Sequence, residues 1–313
     1  MRVAFLGTPE TAVPFLEALV AGGHDVGLVV TRPDRPRGRS AAPAPPPVKR
    51  AAIRLGIEVE QPAATRRPEF AQRLASVRAD LLVVVAYGRI LTAEALAAAP
   101  RGAVNVHFSL LPRWRGAAPV QWCLAAGDER TGVCTMQLDE GLDTGPILLT
   151  EETPIRADEH APALTARLVA LGVPLLLRTL DGLARGDLRP RAQDDASATR
   201  APMITRSDGE VSPALPARAI AGRVRGFDPW PGVWLRRGGT RIRIVRALPR
   251  DGETASHAPG TVLRLDEDDL LVACGGGSVL AVREVQPEGR RTVAVRDAVN
   301  GRLLAPGDVL EKL

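Results

Sequence analysis

Short apolar runs alternate with longer amphipathic stretches over the first half of the chain, which is typical of parallel strands joined by helices. The run at Leu81–Ala86 is apolar throughout, as expected for a strand covered on both faces. We therefore expect a mostly parallel, Rossmann-like α/β sheet. Thr8 and Pro9 are predicted to begin the helix after the first strand. The other predicted elements of this half are strands at Val3–Leu6, Val26–Val30, Ala103–His107, Gly132–Leu138 and Ile147–Thr153 and a helix through Leu164–Arg185.

The second half has a different pattern, with short apolar runs between turn residues. A polar stretch at 187–214 lacks periodicity and is interpreted as a linker or an extended crossing segment. A short helix at Leu215–Gly226 follows, and then short strands that favour a small OB-like β-barrel. The strands are predicted at Gly232–Arg236, Thr240–Ala247, Gly260–Leu265, Leu270–Cys274 and Val279–Val285. We divide the chain into a first domain at 1–188, a linker at 189–206 and a second domain at 207–313.

Composition mainly excludes classes of protein. The chain has 313 residues, 45% of them hydrophobic, and a net charge of +5. No apolar run approaches the roughly 20 residues of a membrane span and no secretory leader is apparent, so we expect a cytoplasmic protein without a membrane partner. Three cysteines without CxxC spacing and four scattered histidines indicate neither a disulfide framework nor a metal site. Gly7 is not followed by a GxGxxG pattern, which disfavours dinucleotide binding.

Charge is concentrated locally. Residues 35–54 contain six basic and no acidic side chains, and residues 206–250 contain ten basic and three acidic ones. The first run includes a proline-rich loop at Arg32–Pro47, which is either a binding loop or a stiff spacer. Such runs attract phosphates, although each can equally be a solvated surface.

Three polar residues suggest carbonyl chemistry. Asn105 and His107 lie two apart on a predicted strand, so their side chains share one face at its carboxyl end. Asp143 lies between glycines in GLDTG. An amide donor can hold a carbonyl oxygen as charge builds on it, and a carboxylate beside an imidazole can assist proton transfer. Each residue taken singly is more often a turn former or a satisfied polar group.

Longer motifs identify a family. The stretch NVHFSLLPRWRGAAPVQW at Asn105–Trp122, with the Asp143 loop, resembles the formyltransferases that use 10-formyltetrahydrofolate, and methionyl-tRNA formyltransferases in particular. Matching motifs span nearly the whole chain: FLGTPE at Phe5–Glu10, TRPDRPRGR at Thr31–Arg39, VVVAYGRIL at Val83–Leu91 and FDPWPGVW at Phe227–Trp234.

The resemblance implies transfer of a formyl group from 10-formyltetrahydrofolate to the α-amine of initiator Met-tRNA. We expect the protein to be a monomer and to need no metal. Asn105 and His107 would hold the formyl oxygen, and Asp143 would organise proton transfer through His107 or a water. The folate site would be lined by Ser109, Leu110, Leu111 and Pro112. Arg35, Arg37 and Arg39 would contact the tRNA, and the C-terminal domain would follow its phosphate backbone.

The chain departs from the family pattern in places, and alternatives stay open. Phe108 stands where a small residue usually follows the histidine, and Met203 and Pro213 replace the usual Lys and Trp. Glycinamide ribonucleotide and sugar-nucleotide formyltransferases and folate deformylases share the core chemistry. A non-catalytic RNA- or folate-binding protein is a further alternative, which only Phe108 favours.

Overall fold

A computed structural model describes residues 1–36 and 42–313 of the chain. The described strands are β1 (Arg2–Gly7), β2 (Asp25–Val30), β3 (Arg35–Pro36), β4 (Pro43–Ala44), β5 (Val59–Glu60), β6 (Leu81–Val85), β7 (Ala103–His107), β8 (Arg115–Gly116), β9 (Arg130–Gln137), β10 (Ile147–Pro154), β11 (Arg200–Ala201), β12 (Val233–Arg237), β13 (Thr240–Thr254), β14 (Val262–Asp266), β15 (Asp269–Ala273), β16 (Ser278–Pro287), β17 (Val293–Ala294) and β18 (Glu311–Lys312). The helices are α1 (Val13–Ala21), α2 (Pro47–Arg54), α3 (Pro68–Ser76), α4 (Ala93–Leu96), α5 (Pro119–Ala126), α6 (Ala161–Arg185), α7 (Ala217–Gly226) and α8 (Val295–Asn300).

The chain forms two compact units whose sequence ranges interleave. The first unit consists of Met1–Ala117, Thr131–Thr153 and Thr165–Ala201. The second consists of Ala118–Arg130, Pro154–Leu164 and Pro202–Leu313. The division into 1–188, 189–206 and 207–313 stays a prediction.

The first unit is built on a seven-stranded sheet in the order β10-β9-β7-β6-β1-β2-β5. Strands β7, β6, β1, β2 and β5 pair in parallel, and β9 is antiparallel to β7. All five residues of Leu81–Val85 are buried, since the sheet is covered on both faces. Phe70 and Leu74 of α3 pack on one face. A mostly parallel α/β sheet is therefore confirmed.

The predicted start of the first helix is wrong. The Thr8 hydroxyl donates to the Tyr87 carbonyl at 3.1 Å, so it holds two loops together at the sheet's carboxyl edge. Helix α1 begins only at Val13, after a short 3-10 turn at Glu10–Ala12, and the proline in its first turn is Pro14. The Thr8 hydroxyl that we expected to cap the helix instead forms this tertiary hydrogen bond.

Helix α6 begins at Ala161, earlier than the predicted Leu164, and much of its sequence is apolar. Its 25 residues meet the length and hydropathy of a membrane span. However, Leu168, Leu175 and Leu180 are fully buried within the unit, and the Thr179 hydroxyl bonds that of Thr135 on β9 at 2.8 Å. The helix therefore has the contacts of a core helix. Core helices can be as long and as apolar as membrane-spanning ones.

The polar stretch at 187–214 begins as an extended crossing segment. Arg191 forms an isolated antiparallel bridge with Ile147 of β10. Farther along, β11 pairs in parallel with β8. Residues 191–201 are thus bonded to the first unit, and we call them the strap.

The second unit is built on an antiparallel sheet in the order β14-β15-β16-β13-β12-β18, with β17 on β16. Helix α7 packs on this sheet, and α5 packs closely on α7 because Gly222 has no side chain. A Cβ on Gly222 would lie 2.7 Å from the Leu124 carbonyl oxygen. Phe227 is buried in this core, with the Trp122 ring against its edge at 5.5 Å.

The expected barrel closure is not found in the sheet pairing. Strands β14 and β18 are the ends of the sheet path. Among the described residues, the ends are joined only by a short stretch of pairing beside them: Thr261, just before β14, bridges to Val309, just before β18, and backbone hydrogen bonds link Gly260 and Val262 to the same segment. The structure therefore shows a C-terminal antiparallel sheet domain.

Candidate active site

Asn105 and His107 lie at the carboxyl end of β7, in the middle of the sheet. Asn105 pairs in register with Val84 of β6 and Met136 of β9. Since neighbouring partners in a sheet point to the same face, Asn105 and His107 lie on the face that Val84 shares with α3. They are 9% and 5% exposed, so both polar side chains are nearly removed from water.

Among the residues that the structure describes, no hydrogen bond is found from the Asn105 side chain. Its amide is therefore available to a ligand at this edge of the sheet, as both donor and acceptor. Its N–H is therefore well suited to hold the oxygen of a reacting carbonyl.

The orientation of His107 is fixed by a backbone group. Its Nε2 lies 2.9 Å from the Trp114 carbonyl oxygen, which can only accept, so Nε2 carries the proton. The other nitrogen, Nδ1, lies 3.7 Å from Oδ2 of Asp143. That distance is too long for a hydrogen bond but suits an ion pair when the ring is protonated. The proton-accepting nitrogen of His107 therefore faces the carboxylate.

Asp143 is presented by a sharply turned loop. Its φ is 55°, in the left-handed region. A Cβ on Gly145 would collide with the Gln137 carbonyl oxygen, so a glycine is required there. Oδ2 of Asp143 accepts from the Gly116 backbone N–H at 2.9 Å. The carboxylate is thus aimed at His107 by the loop and by Gly116, and the glycine-flanked aspartate is more than a turn former.

The strap supplies site residues that sequence reasoning missed. Thr199 Oγ1 accepts from the Trp114 N–H at 2.8 Å, and so supports the carbonyl that holds His107. Gln193 Nε2 donates to the carbonyls of Asp143 and Gly145 at 2.9 and 2.7 Å. Both lie in a polar stretch without periodicity, and no local signal separates them from solvent-facing residues.

The predicted folate residues Ser109, Leu110, Leu111 and Pro112 form the loop after β7. The Ser109 hydroxyl is fully buried and donates to the Arg113 carbonyl at 2.6 Å. Leu111 packs in a small cluster with Cys134, Met136 and Ile147. These side chains shape the loop from within, and their contact with folate stays a prediction.

Phe108 does not narrow the site. Its ring packs edge-on against Phe15 of α1, with centroids 6.1 Å apart. Phe15 is also in close contact with the Gly172 position of α6, so Phe108 points to the α1 side, away from the face of His107. Phe108 therefore no longer favours a non-catalytic protein.

The predicted tRNA contacts are only partly within the described residues. Arg35 is exposed on β3, which pairs with β4. Arg37 and Arg39 lie outside the described residues. Among the described residues, no group of three or more His, Cys, Asp or Glu side chains could hold a metal.

A mostly parallel sheet with an amide, an imidazole and a carboxylate at one carboxyl edge is suited to group transfer at a carbonyl, and the family comparisons place the chain among the formyl transferases. The formyl transferase family model matches residues 1–180, and the model of the formyl transferase C-terminal domain matches residues 203–303. The methionyl-tRNA formyltransferase of Solibacter usitatus is 48% identical, over 99% of this chain and 98% of that protein. The enzyme of the same name from Citrifermentans bemidjiense is 45% identical, over 100% and 97%. The chain belongs to the methionyl-tRNA formyltransferase family.

Solved structures share the fold at low sequence identity. A sugar 3N-formyl transferase crystallised with dTDP and 5-N-formyl-THF superimposes with a TM-score of 0.68, at 12% identity, over 93% of this chain and 99% of that one. A glycinamide ribonucleotide transformylase from Symbiobacterium toebii superimposes with a TM-score of 0.51, at 23% identity, over 62% and 94%. These likenesses show the fold alone.

Proposed function

We propose that this protein transfers a formyl group from 10-formyltetrahydrofolate to the α-amine of initiator Met-tRNA. The observation that carries the proposal is the meeting of Asn105, His107 and Asp143 at the end of β7. The full-length similarity to methionyl-tRNA formyltransferases supports tRNA as the carrier of the amine. The product would be formylmethionyl-tRNA for translation initiation.

Each catalytic side chain has one task in this reaction. The Asn105 N–H donates to the formyl oxygen, most strongly when that oxygen becomes negative as the amine attacks. A bond forms between the amine nitrogen and the formyl carbon, and the bond from that carbon to the folate nitrogen breaks. Nδ1 of His107 takes a proton from the attacking amine, and Asp143 stabilises the imidazolium. Because the Nε2–H of His107 already donates to the Trp114 carbonyl, the ring does not hold the formyl oxygen beside Asn105, which corrects the role that the family resemblance implied. The proton then passes to the leaving folate nitrogen.

The remaining assignments follow from the same function. The loop Ser109–Pro112 borders the folate site, and the basic residues Arg35, Arg37 and Arg39 contact the tRNA. Residues 1–188 are the catalytic domain, and residues 207–313 are an OB-like tRNA-binding domain. The bridge between Thr261 and Val309 supports the OB-like assignment, because it joins the two ends of the sheet. We place the protein in the cytoplasm as a monomer, with tRNA and folate as its partners.

A formylation assay with matched variants tests the catalytic assignment. Asp143→Asn keeps the shape of the side chain and the acceptor for Gly116, but removes the charge that faces His107. We expect kcat to fall by about 10²–10⁴-fold while folate binding, measured by fluorescence, is unchanged. Asp139→Asn, in the same loop, is the control, since its carboxylate bonds only Gly141 and Thr144 among the described contacts. Loss of folate binding in Asp143→Asn would indicate a structural role instead.

A further inference from the structure

The strap holds the Asp143 loop through one side chain, that of Gln193. Its Nε2 donates to two carbonyls of the loop, those of Asp143 and Gly145, at 2.9 and 2.7 Å. Each of the two N–H groups of the amide thus donates to one carbonyl of the loop. A carboxamide is one of few side chains that can donate twice from one atom.

The other end of the same amide is anchored to the loop after β7. Oε1 of Gln193 accepts from Nε of Arg115 at 3.0 Å. Arg115 is 5% exposed and is held in turn by Asp195 of the strap at 2.7 Å. The next residue, Gly116, donates its backbone N–H to the Asp143 carboxylate. Gln193 therefore links two segments. One is the backbone of the Asp143 loop, and the other is the segment of Arg115 and Gly116, whose N–H binds the Asp143 carboxylate.

We propose that Gln193 is a positioning residue for formyl transfer, which fixes Asp143 in its left-handed conformation opposite His107. Without it, the carbonyls of Asp143 and Gly145 lose this donor, and among the described contacts the carboxylate keeps only the hydrogen bond from the Gly116 N–H. The φ of 55° at Asp143 is disfavoured for most L residues, although aspartate tolerates it better than most, so the two hydrogen bonds from Gln193 stabilise this conformation. A displacement near 1 Å at a reacting group lowers the rate by about 10²-fold. The inference rests on the proposed function for its kinetic part only.

Gln193→Glu is the variant that tests the positioning role most directly. It keeps the size of the side chain and the acceptor for Arg115, but an ionised carboxylate cannot donate and would face two carbonyl oxygens. We expect kcat to fall by about 10²-fold, with KM for folate and for Met-tRNA within about 3-fold of wild type. Gln286→Glu is the matched control: this partly buried glutamine also donates Nε2 to a backbone carbonyl, that of Arg290, at 2.8 Å in the second unit.

A double-mutant cycle separates positioning from a general structural role. If Gln193 acts through Asp143, adding Gln193→Glu to Asp143→Asn should lower the residual rate by less than 3-fold. A full further 10²-fold loss in the double variant would overturn the proposal, and so would an unchanged kcat in the single variant.

Amide exchange gives a readout that does not depend on activity. The Gly116 N–H is protected by the Asp143 carboxylate, so its hydrogen exchange should be at least 10-fold faster in Gln193→Glu and unchanged in Gln286→Glu. Equal protection in Gln193→Glu and wild type would overturn the positioning role even if no formyl transfer were detected. Absence of formyl transfer by wild type, with faster exchange in the variant, would instead refute the proposed function alone.

Discussion

His107 and Asp143 owe their arrangement to backbone groups that lie close in the fold. The Trp114 carbonyl sets the protonated nitrogen of His107, and the Gly116 N–H holds the carboxylate of Asp143. Both groups come from the segment that follows β7, whose positive φ values of 63° at Trp114 and 131° at Gly116 let it turn back over the site. The side chains proposed to be catalytic therefore depend on backbone groups of residues to which we assign no chemical role.

Gly116→Ala should disturb this arrangement directly. A Cβ there would collide with the Ala201 carbonyl of β11, and the φ of 131° is strained for any other residue. We expect a loss of about 1–3 kcal/mol in the free energy of unfolding and a lower kcat. Gly23→Ala is the control, because Gly23 also has a positive φ but nothing within 4 Å of the added methyl. Thermal unfolding and formylation rates of both variants measure the difference; equal kcat losses would refute the account.

Phe108→Ala should separate stability from catalysis. The half-buried ring packs on Phe15, on the side of the sheet away from His107. Its removal should lower the free energy of unfolding by about 2 kcal/mol, roughly half the value for a fully buried ring. The kcat measured at a temperature where both proteins are folded should change less than about 3-fold. A large drop in kcat without a loss of stability would place the ring in the site after all.

Asp228 provides a pH-dependent stabilisation in the second unit. Its carboxylate contacts His160 Nδ1 at 3.1 Å and Arg243 Nη2 at 2.8 Å, and the hydrogen bond from His160 and the nearby Arg243 lower its pKa from the usual 3.8. A depressed pKa stabilises the fold above the unfolded pKa, and the contribution is lost as the pH falls towards the folded value.

Asp228→Asn should therefore be less stable than wild type by about 1–3 kcal/mol at pH 7. The difference should shrink as the pH is lowered below about 4, where the carboxyl of the unfolded wild type becomes protonated. Urea unfolding at several pH values measures this difference. A difference that stays constant down to pH 3 would show that the ionised carboxylate is not what stabilises the unit.

At the scale of elements, the buried strands could be predicted because their apolar runs are local. Ala103–His107 has the predicted bounds, and Leu81–Val85 is one residue shorter because Ala86 takes a φ of 47°. The helices α2 and α3 could not be predicted with the same ease. Each is short and begins at a proline, at Pro47 and Pro68, in a polar stretch whose pattern is dominated by turn residues.

The contacts of the strap could not be predicted from the sequence for a different reason. Its extended residues bond with backbone partners some 50 to 85 positions away, such as the Asp143 carbonyl and the Trp114 N–H. Such long-range pairing leaves no periodic pattern along the chain. Asn105, His107 and Asp143 could be proposed as site residues from their motifs, whereas the contacts of Gln193 and Thr199 required the fold.

The basic loop at Arg32–Pro47 is predicted to act on tRNA and not on folate. Arg39→Ala should raise KM for Met-tRNA at least 10-fold, leave KM for folate unchanged, and reduce the salt dependence of tRNA binding by about one phosphate contact. Arg54→Ala is the control from the same basic run, since Arg54 is paired with Glu17 at 2.5 Å. Kinetics at several salt concentrations measure both effects, and equal changes in the two variants would contradict the loop assignment.

At the scale of the whole molecule, the basic run at 206–250 is largely neutralised by ion pairs in the fold. Seven of the ten arginines between 206 and 250 form ion pairs with acidic residues of the second unit, so the run is not a uniformly free positive surface. These are Arg218, Arg236, Arg237, Arg241, Arg243, Arg246 and Arg250. The phosphate contacts proposed for this unit must therefore come from arginines outside these ion pairs or compete with weak surface pairs. Sequence counts could not reveal this because the acidic partners are mostly distant along the chain.

We propose that the site formed by Asn105, His107 and Asp143 formylates an amine carried by tRNA. The most direct measurement is a competition assay: wild-type protein with labelled 10-formyltetrahydrofolate and equal amounts of initiator Met-tRNA, glycinamide ribonucleotide and a 3-amino sugar nucleotide. We predict that the label is found on initiator Met-tRNA, with less than about 1% on either small amine. Label found mainly on a small amine, or on none of the three, would contradict the account.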